Sequence, residues 1–318
     1  MRDAKERELV KMMRRIFRSP PPPAGMGDDC SVVKIGRTTL LFTTDMLTES
    51  AHFIYCRSQE QRGRMAMAVN LSDIAAMGGK PEFALLSLGI PASMGKKDVA
   101  SLARGISAAA EANGVEVLGG DTKGAQELTI SITICGRAVG RPLLRSGARA
   151  GDYLAVTGRL GGASSSHYAL SRGLPKAADR LCTPVPRIRE GMKLARSGQV
   201  TAAIDITDGL ALSAWYVSRA SGVRIEIDRD AVPVDSTLKR LDVGEQERED
   251  MLFNWGGDYE LLFTMRGDRA LSTLKRDRTL DFGVIGRVEA GKGVYITDRR
   301  GRRRLDEKGY DSLARRPV

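Results

Sequence analysis

The sequence predicts a mixed α/β chain built as two halves of similar size, and three observations lead there. Short apolar runs of strand length alternate with stretches whose apolar residues recur at helical spacing, the pattern of α/β and α+β layers. The chain has 318 residues, 42% of them hydrophobic, which suits two domains of ordinary size better than one small core. Between the halves, RSGARAGD at Arg145 to Asp152 carries small and charged residues without periodicity, and a boundary is placed there.

In order along the chain, MRDAKERELVKMMRRIF predicts a basic first helix. It lacks the apolar centre of a secretory signal, and Asp3, Glu6 and Glu8 argue against an organelle transit peptide. Ser19 to Gly25 holds four successive prolines, which lock the backbone and remove donors, so an extended linker is expected. Ser31 to Ile35 and Thr39 to Thr44 are strands joined by a Gly36-Arg37 turn. Arg64 to Met77 is helical, Glu82 to Ile90 a strand. Val99, Leu102, Ala103, Ile106 and Ala110 fall on one face of a helix from Lys97 to Asn113. Glu127 to Val139 is another strand.

After the boundary come a strand at Tyr153 to Thr157, a glycine-rich turn, and helices from near Ser164 and over Pro186 to Ser197. A strand at Ala202 to Ile206, a helix at Leu210 to Ala220, and strands at Val223 to Ile227 and Tyr259 to Met265 follow. TDRRGRRRLD reads as a hairpin turn near the end.

Composition narrows the function classes. No apolar run approaches the ~20 residues that span a bilayer, so no membrane role is expected. Cysteines at 30, 56, 135 and 182 are scattered without Cys-x-x-Cys spacing; neither a disulfide framework nor a zinc site is expected, and the cytoplasm is the expected compartment. A net charge of +11 favours polyanionic partners, either nucleic acid or small phosphorylated molecules. Only 5% of residues are aromatic, too few for a stacking surface on single strands, and no specific nucleic-acid partner is expected.

The chemistry lies in aspartates. GMGDDCSVV sets Asp28 and Asp29 before a strand, and Asp45 ends LLFTTD, with Thr43 and Asp45 on one side of the strand and Thr44 offering its backbone to a neighbouring site. Asp73 in AVNLSDIAAMGG lies among small and apolar residues, where a carboxylate is costly unless it meets a cation; the alternative is a helix cap at Ser72-Asp73. In VLGGDTKG two glycines precede Asp121 and let backbone amides approach a phosphate. Asp205 ends the strand of AIDITDGLA, and Asp208 opens the next helix, whose free amides favour anions. Aspartates without His or Cys partners are hard oxygen ligands suited to Mg²⁺, which also keeps waters and substrate phosphates. P-loop and protein-kinase signatures are absent.

GDDCSVV, TTDMLTESAHF, AVNLSDIAAMGGKP, LGGDTKG, RSGARAGD, DITDGL, GGDYELLFT and KGYDSL resemble, in the same order, the motifs of the thiamine-monophosphate kinase family. That family belongs to the aminoimidazole ribonucleotide synthetase superfamily. The resemblance implies a two-domain fold, residues 1–147 binding Mg²⁺ and ATP and pairing strands into the shared barrel of a homodimer, residues 148–318 completing the active site. It implies transfer of phosphate from ATP to thiamine monophosphate, yielding thiamine diphosphate. Carried over residue by residue, it assigns metal ligands to Asp29, Thr43, Thr44, Asp45, Asp73, Asp121, Asp205 and Asp208, with Asp45, Asp73 and Asp208 central to catalysis. ATP contacts fall on Gly120, Asp121, Arg145 and Thr207, the last usually Ser in the family. Substrate contacts fall on His52 and Tyr310. The family usually reads Gly-Gly-Glu-Asp-Tyr, whereas Gly256-Gly257-Asp258-Tyr259 lacks the Glu; Asp258 is then the acidic candidate beside the acceptor.

A phosphate monoester has its second pKa near ~6 and is already an ionised nucleophile at neutral pH, so direct in-line transfer needs no general base. The alternative is another ATP-dependent enzyme of the superfamily acting on a different phosphate acceptor. Selenophosphate synthetase would need a reactive Cys paired with Lys near the amino end, and Cys30 and Lys34 stand in the wrong context. A nucleotide sensor that had lost its chemistry would not keep every motif aspartate.

Overall fold

The structure is a computed structural model and describes residues 6–173 and 178–310. Its first half runs α1 (Glu6–Ile16), β1 (Ser31–Ile35), β2 (Thr38–Thr48), α2 (Glu49–His52), α3 (Gln59–Ala76), β3 (Gly79–Pro91), α4 (Lys96–Ala112), β4 (Glu116–Ala125) and β5 (Thr129–Ala138). The strands form a five-stranded sheet in the order β1-β2-β5-β3-β4, antiparallel except for the parallel β3–β4 pair. Period-two alternation decides its faces. Ile130, Ile132 and Ile134 of β5 are buried together with Leu41 and Ala84, while Phe42, Met46, Phe83 and Leu85 point to the uncovered face.

The second half runs β6 (Asp152–Thr157), α5 (Gly162–Ser171), α6 (Ala178–Cys182), α7 (Ile188–Ser197), β7 (Val200–Ile206), α8 (Leu210–Ser221) and β8 (Arg224–Asp228). It continues through α9 (Ser236–Arg240), α10 (Glu245–Phe253), β9 (Glu260–Arg266), α11 (Gly267–Lys275), β10 (Phe282–Glu289), β11 (Gly293–Asp298) and β12 (Gly301–Arg304). Seven strands lie in the order β12-β11-β8-β10-β6-β9-β7. Only the β11–β8 pair is parallel.

Helix α3 joins the halves. Its residues Ala66 to Leu71 and Ile74 to Ala76, all apolar or small except Asn70, are buried on nearly every side, as expected of a helix covered all round. One flank meets β2, β5 and α4, and the other meets α7 and β7. The contact with α7 is close enough to need glycine: a Cβ on Gly191 would stand 2.0 Å from the Ala75 carbonyl oxygen.

Several sequence expectations change. β2 runs to Thr48 because pairing with β5 continues through Thr48 opposite Thr129, so Asp45 lies inside the strand and not at its end. Asp73 lies in the last turn of α3, far from its amino-terminal cap Ser58. Asp121 lies within β4. The proline segment turns instead of running extended: Gly25 N donates to Pro21 O at 3.3 Å, Val32 N donates to Pro23 O at 2.8 Å, and the Pro22-Pro23 peptide is cis. Cys56 and Cys182 form a disulfide across 126 residues of sequence, a pairing that local spacing cannot announce. Helices α9, α10 and α11 and strand β10 also went unread. The terminal hairpin is present as β11 and β12. Its arginines are not merely solvated: Arg302 forks onto Glu226, Arg303 reaches Glu249, and Arg299 reaches Glu245.

Candidate metal and nucleotide centre

The Gly-Asp-Asp turn, α3 and β7 converge on one point. Carboxylate oxygens of Asp29, Asp73 and Asp205 lie within 4.8 Å of one another. Each is held by a side chain from a different part of the fold. Thr43 on β2 donates its hydroxyl to Asp73 Oδ2, from the face of the strand that it shares with Asp45. Ser72 Oγ donates to Asp205 Oδ2 at 2.6 Å, tying α3 to β7. The Asp45 amide donates to Asn70 Oδ1 at 2.9 Å, so α3 also fixes β2 at that residue. Thr44 points the other way and receives the Thr133 hydroxyl at 3.0 Å.

Such crowding is unfavourable for carboxylates. Burial, then the charge of Asp29, raises the Asp205 carboxyl to about 8. Burial, then Asp45 and Asp205, holds Asp73 well above the usual carboxylate range. Burial and Asp29 lift Asp28 to about 7. Arg145 offsets part of this. Its Nε donates to Asp29 Oδ1 at 3.0 Å with a second bond from the same guanidinium, and its backbone N donates to Asp28 Oδ1 at 3.0 Å. Burial alone would lower the guanidinium, but Asp29 outweighs it and raises it.

One guanidinium does not satisfy the cluster. Asp29 has a side chain 1% exposed, and its Oδ2 is buried without a hydrogen-bond partner among the described residues. Unpaired buried acceptors are rare, and this one leaves a carboxylate lone pair to offer to a cation. All the donor atoms are carboxylate or hydroxyl oxygens, the set that suits Mg²⁺ and not zinc. The residues therefore fit a hard divalent cation.

The turn after β7 forms the adjoining wall. Gly257 N donates to Thr207 O at 2.8 Å, Tyr259 N to Ile206 O at 3.0 Å, and Tyr310 N to Asp208 O at 3.0 Å. The approach explains Gly256, whose Cβ would stand 2.0 Å from Thr207 O. Tyr259 adopts φ +53°, and burial followed by the charges of Asp45, Asp205, Asp208 and Asp73 raises its phenol.

Not every expected residue arrives. Asp258 is turned to a structural use: Oδ2 accepts from Gly161 N at 2.7 Å and Oδ1 from Ala163 N at 3.0 Å, holding the amino end of α5. Burial raises it to about 6. His52 ends α2 and accepts the Thr48 amide on Nδ1 at 3.1 Å. Gly120 and Asp121 lie on β4, exposed throughout and three strands from β2, which is about 14 Å across a sheet. Sequence reasoning passed over Ser72 and Tyr259. The signal for Ser72 was its place beside Asp73; for Tyr259 none existed, because a positive φ is invisible in sequence.

A five-stranded sheet and a seven-stranded sheet joined at an acidic cleft define an AIR synthase-related protein. Residues 27–138 match the AIR synthase related protein, N-terminal domain, and residues 149–299 match the C-terminal domain. The chain is 34% identical to the thiamine-monophosphate kinase of Pyrococcus horikoshii over 316 residues, 98% of this chain and 97% of that one. With the thiamine-monophosphate kinase of Archaeoglobus fulgidus it shares 36% over 301 residues, 92% of each. The solved structure of AaThiL complexed with AMPPCP and TMP superposes with a TM-score of 0.85 at 31% identity, covering 96% of each chain. The chain belongs to the thiamine-monophosphate kinase family.

Proposed function

We propose that this chain transfers the terminal phosphate of ATP to thiamine monophosphate, releasing thiamine diphosphate and ADP, with Mg²⁺ held at the acidic cleft. The observation that carries the reading is the Asp29, Asp73 and Asp205 cluster with its unpartnered buried oxygen, in a chain of this kinship. Asp29, Asp45, Asp73, Asp205 and Asp208, with the hydroxyl of Thr43, are the residues that would hold the cation; the Thr44 side chain faces the other side of β2, which leaves Thr44 only its backbone to offer. When bound, Mg²⁺ screens the repulsion between donor and acceptor phosphates and stabilises charge on the transferring oxygens.

The chain's own groups then have defined tasks. Arg145 supplies the fixed positive charge nearest the carboxylates, and the Thr207 hydroxyl and the free amides at the start of α8 present donors to phosphate. No proton need leave the acceptor, whose phosphate is already ionised. Asp45, Asp73 and Asp208 therefore serve the cation and not proton transfer. His52 and Tyr310 are proposed on the acceptor side; Tyr310 adjoins Asp208 through its backbone.

We further propose that residues 1–147 form the metal- and ATP-binding domain and 148–318 the completing domain, and that two copies pair. The uncovered face of the first sheet supports pairing, with Met46 and Leu85 more than half exposed, a large apolar face for one chain to leave in water. Pairing would also let Gly120 and Asp121 serve a site that their own strand cannot reach. No helix among the described residues is long and apolar enough to cross a membrane. Pairing of the arginine hairpin with Glu226, Glu245 and Glu249 argues against a specific nucleic-acid partner.

The test is to incubate the protein with ATP and Mg²⁺ and, side by side, thiamine, thiamine monophosphate and unrelated phosphate monoesters, following thiamine diphosphate and ADP. Turnover with thiamine monophosphate alone is expected. Faster phosphorylation of thiamine or of another monoester would reject the assignment.

A further inference from the structure

The acceptor carries an aromatic cation, and the acids near its expected place are already engaged. Asp258 is bound to two amides of α5. Asp250 accepts Trp255 Nε1 at 3.0 Å and Asn254 Nδ2 at 2.7 Å. Glu260 is taken by Arg187 and by Thr157. What remains beside the Thr207-Asp208 turn is a group of rings. His167 packs edge-on against Tyr55 and Trp255, with centroids 5.1 Å and 4.9 Å away, and Tyr55 Oη lies 3.0 Å from His167 Nε2.

Three features separate this group from ordinary core packing. The rings come from both halves of the molecule, Tyr55 from the segment before α3, His167 from α5 and Trp255 from the loop after α10. All three are half-buried and none is a phenylalanine, so each offers a ring edge or face together with a polar atom. They also stand next to the proposed chemistry. Ala163 lies 3.2 Å from the Cβ position of Gly257, which itself bonds Thr207 O, and His167 is one turn further along the same face of α5, about 6 Å on. The Cys56–Cys182 bond fixes the residue after Tyr55 to α6, which packs on α5.

We propose that Tyr55, His167 and Trp255 form the specificity pocket for the heteroaromatic cation of the acceptor, supplying by cation–π contact the attraction that an acidic side chain would otherwise give. This rests on the acceptor reading above. Trp255 holds the rim next to Gly256-Gly257, Tyr55 the side belonging to the first half, and His167 the floor between them.

The experiment uses the full chain and two readouts. In the first, Trp255→Leu and Tyr55→Leu are assayed for KM toward each substrate. A rise of about tenfold in KM for thiamine monophosphate, with KM for ATP and the melting temperature near wild type, is expected from losing a desolvated cation–π contact. Unchanged KM for the acceptor, or equal rises in both KM values, would overturn the proposal. The second readout is intrinsic fluorescence without ATP. The chain has two tryptophans, and the other, Trp215, is covered by Arg219 and Arg304 and bonds Leu305 O. Thiamine monophosphate should quench wild type and Trp215→Phe alike, and should fail to quench Trp255→Phe; quenching retained in Trp255→Phe refutes the pocket even if the leucine variants do not fold. Should wild type phosphorylate no thiamine compound, the acceptor reading fails, while quenching by thiamine itself still decides the pocket.

Discussion

Reducing the Cys56–Cys182 bond opens a loop closed over 126 residues of sequence. In the chain-entropy account, closing a loop of that length removes about 16 cal/mol/K from the unfolded ensemble, so the bond stabilises the fold by about 5 kcal/mol at 25 °C. A chain of 318 residues unfolds with an entropy near 0.7 kcal/mol/K at its midpoint, which converts the loss to a fall of about 7 °C in Tm. The assay is a thermal melt with and without a phosphine reductant, beside a thiol count in denaturant. Cys30 and Cys135 are the free thiols; two thiols should therefore react before reduction and four after it. The double variant Cys56→Ala/Cys182→Ala should melt slightly below the reduced protein, by roughly 1 kcal/mol for the lost buried sulfurs. Coincident melts for oxidised and reduced protein would refute the argument, since the bond would then not constrain the unfolded chain.

Asp45→Asn keeps the shape and removes the charge, so ATP consumption should collapse across a Mg²⁺ titration while the melt stays near wild type. Asp258→Ala should cost about 1 kcal/mol of stability by uncapping α5 and leave the acceptor KM within twofold; a large KM effect at normal stability would place Asp258 back at the acceptor. Asp28 and Asp205, raised to about 7 and about 8 by burial first, make the folded chain hold more protons than the unfolded one between about pH 4 and about pH 8. The metal-free protein should thus lose stability as pH rises through that window, and the Tm gain on adding Mg²⁺ should grow over the same range, as melts in EDTA and in Mg²⁺ will measure. Replacing Arg302, Arg303 and Arg304 with Gln should leave the kinetics nearly unchanged, and labelled DNA or RNA should bind weakly and be lost at moderate salt.

The sequence alone determined the class of chemistry and most of the regular elements. Aspartates without His or Cys partners select a hard cation whatever the fold, and period-two and helical spacing located β1, α3, α4 and β7 within a few residues, because those patterns arise from one chain segment burying one face. Thr43 and Asp45 were on one side of a strand by the same rule. Only tertiary structure decided which carboxylates meet. Asp29, Asp73 and Asp205 converge because α3 is packed between two sheets, whereas Asp121, equally acidic and glycine-flanked in sequence, is carried to the far edge of the first sheet by strand order. Asp258 was legible as an acid, but not as the anchor of α5, since its partners Gly161 and Ala163 are about a hundred residues away. The Cys56–Cys182 bond and the meeting of Tyr55, His167 and Trp255 are of the same kind. Local pattern records which face of a segment is buried; it holds no information about which distant segment lies against that face, and there the chain's topology alone decides.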